Sequence, residues 1–260
     1  MNTTSLQVVR ATIRSSVVFS LFIAVTAYAQ TAVVFNIHNA WEDTTSLPAT
    51  YTGGAQALGT ASSLVESGLY RWSQGYPPYP NLTSPGHWVF AGWSHDLPAS
   101  PVNVPYMQFS FTASQPVSLG SLNYTYFSGN WSDLWIGPEV LQIWVSKDGF
   151  ATSSLLVQHS ALITHPFTGA ELTYHDDLSS IGNLLTGETL AVRFVASYEG
   201  QSRIVEAPAG FLFAVSGTPI QLSLDVTAIP EPAEIALLCG LAGLSVAIWR
   251  RRSRQQDARS

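Results

Sequence analysis

Through the middle of the chain, apolar and polar residues alternate with period two, which puts successive side chains on opposite faces of an extended strand. Met107, Phe109 and Phe111 alternate with Gln108 and Ser110, and Leu122, Tyr124 and Tyr126 alternate with Asn123 and Thr125. The pattern recurs at Leu141, Ile143 and Val145; at Leu190, Val192 and Phe194; at Phe211, Phe213 and Val215; and at Ile220, Leu222, Leu224 and Val226. Each set predicts a strand with one face on a core. Further strands are predicted at 33–37, 87–93, 155–158 and 172–175, with Gly, Pro, Ser, Thr and Asn crowding the stretches between them. Helical spacing is confined to a single turn around 178–185. Roughly ten strands and almost no helix predict an all-β fold, a single β-sandwich of jelly-roll type. Asp148-Gly149, directly after the 141–145 strand, predicts a tight hairpin, and Gly53-Gly54 a second turn.

At the two ends the apolar residues run together instead of alternating. Arg10 and Arg14 precede an uncharged stretch over 15–27, and Ala27-Tyr28-Ala29 precedes Gln30. Small residues at −3 and −1 make 1–29 a secretory signal peptide that signal peptidase cuts after Ala29. Its apolar stretch is shorter than the roughly 20 residues a spanning helix needs. At the other end Pro230-Glu231-Pro232 leads into an apolar run over 235–249, followed by Arg250, Arg251, Arg252 and Arg254. The run predicts a short transmembrane helix at about 235–249 in the inner membrane. Cationic clusters stay on the cytoplasmic side, so the segment before the helix lies outside the membrane. The expected organisation is therefore a signal peptide (1–29), an extracytoplasmic β-sandwich (30–228), a sorting and anchor signal (229–254) and a cytoplasmic tail (255–260).

The order Pro230-Glu231-Pro232, apolar helix with Gly240 and Gly243, and arginine cluster resembles the PEP-CTERM sorting signal of Gram-negative bacteria, which the intramembrane enzyme exosortase reads. The resemblance covers about 229–254. It implies that exosortase cuts near Pro230-Glu231-Pro232, and that the mature protein is released or transferred to an envelope carrier. It also implies an association with exopolysaccharide or biofilm matrix. The 141–149 strand and turn, with Asp177-Leu178-Ser179-Ser180 leading through Leu185-Thr186-Gly187 to Arg193-Phe194, is similar to the central sandwich of many PEP-CTERM proteins. That part implies a fold and no activity. The resulting expectation is an exported, exosortase-sorted envelope or matrix protein of structural role, held transiently in the inner membrane and ending at the cell surface or in the matrix. Two alternatives stand beside it: a carbohydrate-binding module, and a permanently anchored inner-membrane protein with a periplasmic sandwich.

Composition narrows the partners. Charged residues make up 11% of the chain and aromatics 12%, which suits a folded, exported protein more than a disordered one. Between 30 and 229 only Arg71, Lys147, Arg193 and Arg203 are basic, against fourteen carboxylates. An acidic surface of that kind repels phosphate backbones, which excludes nucleic acid as a partner. Cys239 is the one cysteine, so no internal disulfide and no cysteine-based metal site can form.

The search for chemistry yields little. Among the histidines, His175 is followed by Asp176 and Asp177 and preceded by Glu171, and His95 by Asp96, but neither has a ligand spacing, and no metal or cofactor is expected. An ion held there by Asp176 and Asp177 would be Ca²⁺, which prefers oxygen ligands. Glu139, Glu188 and the Glu42-Asp43 pair supply no two carboxylates that strand spacing would oppose across a cleft, as glycoside hydrolysis requires. No nucleophile motif is present either. The chain accordingly reads as no enzyme, without catalytic residues. The aromatics carry the sharpest binding hypothesis, because Trp and Tyr present apolar faces to sugar rings. Trp131, Trp135, Tyr76 and Tyr79 are the candidate glycan-binding residues, and the aromatic, proline-rich 69–105 segment, which includes Trp93, is the candidate recognition loop. The competing reading puts these rings in the core.

Overall fold

The computed structural model describes residues 31–36, 46–71, 88–129, 135–136, 138–160, 163–164, 172–198, 205–206, 209–211, 221–230 and 232–257. Its strands are β1 (Thr31–Asn36), β2 (Ser46–Leu47), β3 (Ala49–Thr52), β4 (Gly59–Ala61), β5 (Leu64–Ser67), β6 (Tyr70–Arg71), β7 (Trp88–Ala91), β8 (Tyr106–Ala113) and β9 (Val117–Gly129). They continue with β10 (Trp135–Ile136), β11 (Val140–Ser146), β12 (Ser154–His159), β13 (Ile163–Thr164), β14 (Leu172–Asp177), β15 (Thr189–Ser197), β16 (Val205–Glu206), β17 (Ala209–Phe211) and β18 (Gln221–Ala228). Helices are few: α1 (Ala55–Leu58), a 3-10 turn Ser179–Ile181, and α2 (Pro232–Asp257). The chain divides into two units, 1–227 and 228–260.

The first unit is all-β. Sheet one runs β3-β1-β18-β9-β17-β7-β6, with β13 and β14 also pairing β9. Sheet two runs β12-β11-β15-β8-β5-β2, with β4 also pairing β8. Pairing in both is antiparallel except for the short β13–β9 contact. A separate parallel pair joins β10 to β16.

The alternating pattern explains how the sheets close on each other. In β8 every second residue is buried, and Met107, Phe109 and Phe111 lie opposite Phe194, Val192 and Leu190 of β15. Next to them, Ile143 and Val145 of β11 face Phe194 and Val192. Sheet one answers with Val33 and Phe35 of β1 beside Leu224 and Leu222 of β18. The two faces touch where Phe35 meets Phe109 at 4.9 Å between ring centroids and Tyr124 meets Phe194 edge-on at 5.4 Å. All of these residues are fully or almost fully buried. The core therefore lies between the sheets.

Sheet two is also covered on its other side, so β11 is buried along its whole length. Trp144, Phe150, Ala191 and Val195 form a second, smaller cluster there, with Val104 and Tyr106 packed against it. This cover explains why the expected tight hairpin at Asp148-Gly149 is instead a wider loop over 147–153. Gly149 and Phe150 both take left-handed backbone angles (φ 70° each), and the turn lays the Phe150 ring onto the sheet.

Other differences follow from length. Between 46 and 71 the chain makes five short strands and α1, none of which the alternation had announced, because pieces of two to four residues hold too little pattern. The expected 211–215 strand is seen as Ala209–Phe211, and the remainder lies outside the described residues. The turn expected around 178–185 is the 3-10 turn.

The second unit is α2. Pro232 opens it, where proline's missing N–H leaves no intrahelical bond unmade. Apolar residues are exposed around it, from Ile235, Leu237 and Leu241 to Leu244, Val246, Ile248 and Trp249. Arg250, Arg251 and Arg254 follow, also exposed. The helix extends beyond both ends of the expected 235–249 segment and takes in residues 255–257. Among the described residues no helix is long and apolar enough to cross a membrane. A helix thus stands where one was expected, and a membrane span does not follow from it.

Candidate functional site

The most concentrated polar chemistry of the first unit lies where the edges of the two sheets meet. Tyr174 and Asp176 are two apart on β14 and share its inward face, while Tyr124 projects from β9 and His159 ends β12 on the other sheet. The Tyr124 hydroxyl donates to Asp176 Oδ2 at 2.7 Å. His159 Nε2 lies 3.1 and 3.2 Å from the two oxygens of the same carboxylate. A carboxylate only accepts, so Nε2 carries the proton in this contact. The imidazole stacks on Tyr174 with centroids 3.9 Å apart. Burial, reinforced by the neighbouring Asp176 charge, pushes the Tyr174 phenol above its ordinary pKa.

The side chains of His159 and Asp176 are only 18% and 10% exposed, and theirs is the one ion pair seen among the described residues. Both donors are spent on one carboxylate that joins sheet one to sheet two. Chemically the cluster is a brace. A signal for it existed in the sequence: an aspartate in register with Tyr174, on the apolar side of a strand, demands buried partners.

The other side of β14 carries a second network. His175 Nδ1 donates to Asn123 Oδ1 at 2.7 Å, and Asn123 Nδ2 reaches Ser223 Oγ at 3.3 Å and Asp225 Oδ2 at 3.1 Å, linking β14, β9 and β18. Asp177 accepts from the backbone N–H and the hydroxyl of Ser179, which lowers its pKa and starts the 3-10 turn. Asp176 and Asp177 therefore point to opposite faces and serve different partners, so they do not converge as a Ca²⁺ pair. Among the described residues no cluster of three metal-ligating side chains occurs.

Arg193 is the other singular group. Its guanidinium lies between the Tyr106 and Phe150 rings, 3.9 Å from each centroid, while Nε donates to Gln108 Oε1 and an Nη to the Pro101 carbonyl. Burial lowers its pKa from the ordinary arginine value, with Tyr106 acting in the opposite sense. Two stacked rings and two hydrogen bonds make this cation a rivet for the loops that cover sheet two.

The glycan-binding candidates are not brought together. Trp135 lies on β10, with its backbone opposite Val205 of β16, and Tyr76, Tyr79 and Trp131 lie outside the described residues. Trp93, an aromatic of the candidate recognition loop, is only 3% exposed and belongs to the core instead. Ala27 and Ala29 of the signal-peptidase site also lie outside the described residues. In the sorting motif, Pro230 follows β18 and is half-buried, Pro232 begins α2, and Glu231 lies outside the described residues. Arg250, Arg251, Arg252 and Arg254 all fall on the last turns of α2. No protein-family model and no curated protein sequence matches the chain.

Proposed function

We propose that this chain is an exported structural protein of the cell envelope or extracellular matrix: a jelly-roll-like β-sandwich preceded by a signal peptide and followed by a PEP-CTERM-type sorting tail. It is delivered through the inner membrane, held there briefly by the tail, cut by exosortase and left in contact with exopolysaccharide. The observation that carries this reading is α2. A helix apolar on all sides, exposed, and ending in an arginine cluster has the form of a segment meant for lipid, with its cationic end retained in the cytoplasm. Its apolar stretch over 235–249 is about 22 Å long at 1.5 Å per residue, against a hydrocarbon core of about 30 Å. A marginal length of this kind suits temporary retention better than permanent anchoring. The polar clusters of the β unit support a structural role, since the Asp176 brace and the Arg193 stack both spend their groups on internal bonds.

The test is the intact mass and fractionation of the native protein with and without a working exosortase. The expected product starts at Gln30, ends near Pro232, and leaves the inner membrane only when the enzyme is active. A full tail kept in the inner membrane under both conditions would overturn the proposal and leave a permanently anchored sandwich protein.

A further inference from the structure

The sheets of the β unit end unequally. The terminal strands β3, β6 and β2 have four, two and two residues, and short edges offer little to a passing strand. β14 has six residues at the border of sheet one, but it carries His175, Asp176 and Asp177. β12 also has six, ends sheet two, and reads Ser-Leu-Leu-Val-Gln-His. It contains no lysine, no proline and no carboxylate, the usual guards of a free edge. Leu155 on it is 42% exposed; with Val65 it is the only large apolar strand residue exposed among the described residues of the unit.

Along the amino half of β12 runs an open groove of about 430 Å³. Ser154 and Leu155 form one wall, Ser180 and Ile181 of the 3-10 turn lie against it, and Lys147 and Ser153 stand at its end. No aromatic ring lines it, so it lacks the stacking platform a sugar would use. An unpaired backbone edge beside small hydroxyls and two apolar side chains suits an extended peptide instead.

We infer that β12 pairs with β12 of a second copy of this chain, antiparallel about a two-fold axis, so that the two copies of sheet two become one continuous sheet. Charge selects this partner. The unit is acidic, and two copies repel each other over most of their surfaces, but β12 itself is uncharged. Lys147 shares the groove at the amino end of β12, whereas Asp176 is bonded to His159 at its carboxyl end. An antiparallel two-fold pairing brings Lys147 of each copy toward the Asp176 end of the other, so opposite charges meet twice. The same symmetry places Leu155, Leu156 and Val157 against the same three residues of the partner.

The test is sedimentation velocity of the full chain in a nonionic detergent from low to high micromolar concentration, with amide hydrogen exchange on the same samples. A monomer–dimer equilibrium is expected, with exchange across 154–159 slowing at least tenfold as the dimer forms. Leu155→Lys, a change at an exposed position, is expected to weaken dimerisation at least tenfold. Val65→Lys, the matched change on β5, is expected to leave it unchanged. A chain that stays monomeric, a dimer indifferent to Leu155→Lys, or exchange in β12 that does not respond to concentration would each overturn the inference.

Discussion

Asp148 shows how a single exposed carboxylate can shape a loop. Its oxygens accept from the Thr152 hydroxyl, from the Thr152 backbone N–H and from the Ser146 hydroxyl, and these bonds lower its pKa from 3.8 to about 2. The folded state thus holds the ionised form more tightly than the unfolded chain does. The stabilisation is complete above about pH 4 and is lost as pH falls toward 2. Asp148→Asn is expected to lower the melting temperature at neutral pH, and the gap from wild type should close across that acid window; a gap independent of pH would mean the charge has no part in the loop. For Arg193, Lys keeps the charge but cannot stack flat between Tyr106 and Phe150 while reaching Gln108. Arg193→Lys is expected to cost about 1–2 kcal/mol in urea unfolding, and Arg193→Ala more, since the Gln108 carbonyl then loses its donor. His159→Ala should cost about 1–3 kcal/mol by the same measurement, because Asp176 keeps only Tyr124.

At the scale of elements, two glycines separate space from backbone strain. Gly59 on β4 is extended, so any residue could adopt its conformation, but a Cβ there would collide with Phe111 Cζ and the Thr112 carbonyl oxygen. Gly149 has open space around it and a left-handed φ of 70°. Gly59→Ala is expected to destabilise by about 1–3 kcal/mol through overpacking, and Gly149→Ala by about 1–2 kcal/mol through its backbone, both read from urea midpoints. The elements legible in the sequence were those with one face on the core, such as β8, β15 and β18, where burial and pattern share a period of two. β11 was legible through Leu141, Ile143 and Val145, but its alternation with Gln142 and Trp144 concealed that the second face is buried too. The strands between 46 and 71 were too short to show a period. The brace was hidden for another reason: Asp176 and His159 lie on strands of different sheets, and no local spacing relates them. Nothing in the 141–149 pattern foretold that Phe150 would take a left-handed angle to reach Arg193.

At the scale of the whole molecule, the last strand of the β unit, β18, ends at Ala228, ahead of Pro230-Glu231-Pro232. A chain cut after Pro230 loses no strand, and it is expected to keep the β-sheet circular dichroism of the full protein and to unfold in one cooperative transition. Loss of either would place residues beyond 230 inside the fold. β18 also lies beside the first described strand: Thr31 pairs with Val226, and its hydroxyl donates to the Val226 carbonyl across 195 residues of sequence. That adjacency sets a clock. At about 5–20 residues per second, a ribosome that has made β1 needs roughly 10–40 s more to deliver its partner. Until then β1 has an unfilled side, and sheet one cannot close in the order the chain is made. Folding of the first unit is thus timed by the arrival of the segment just ahead of the tail, and the chain stays open, and threadable, for almost the whole of its synthesis.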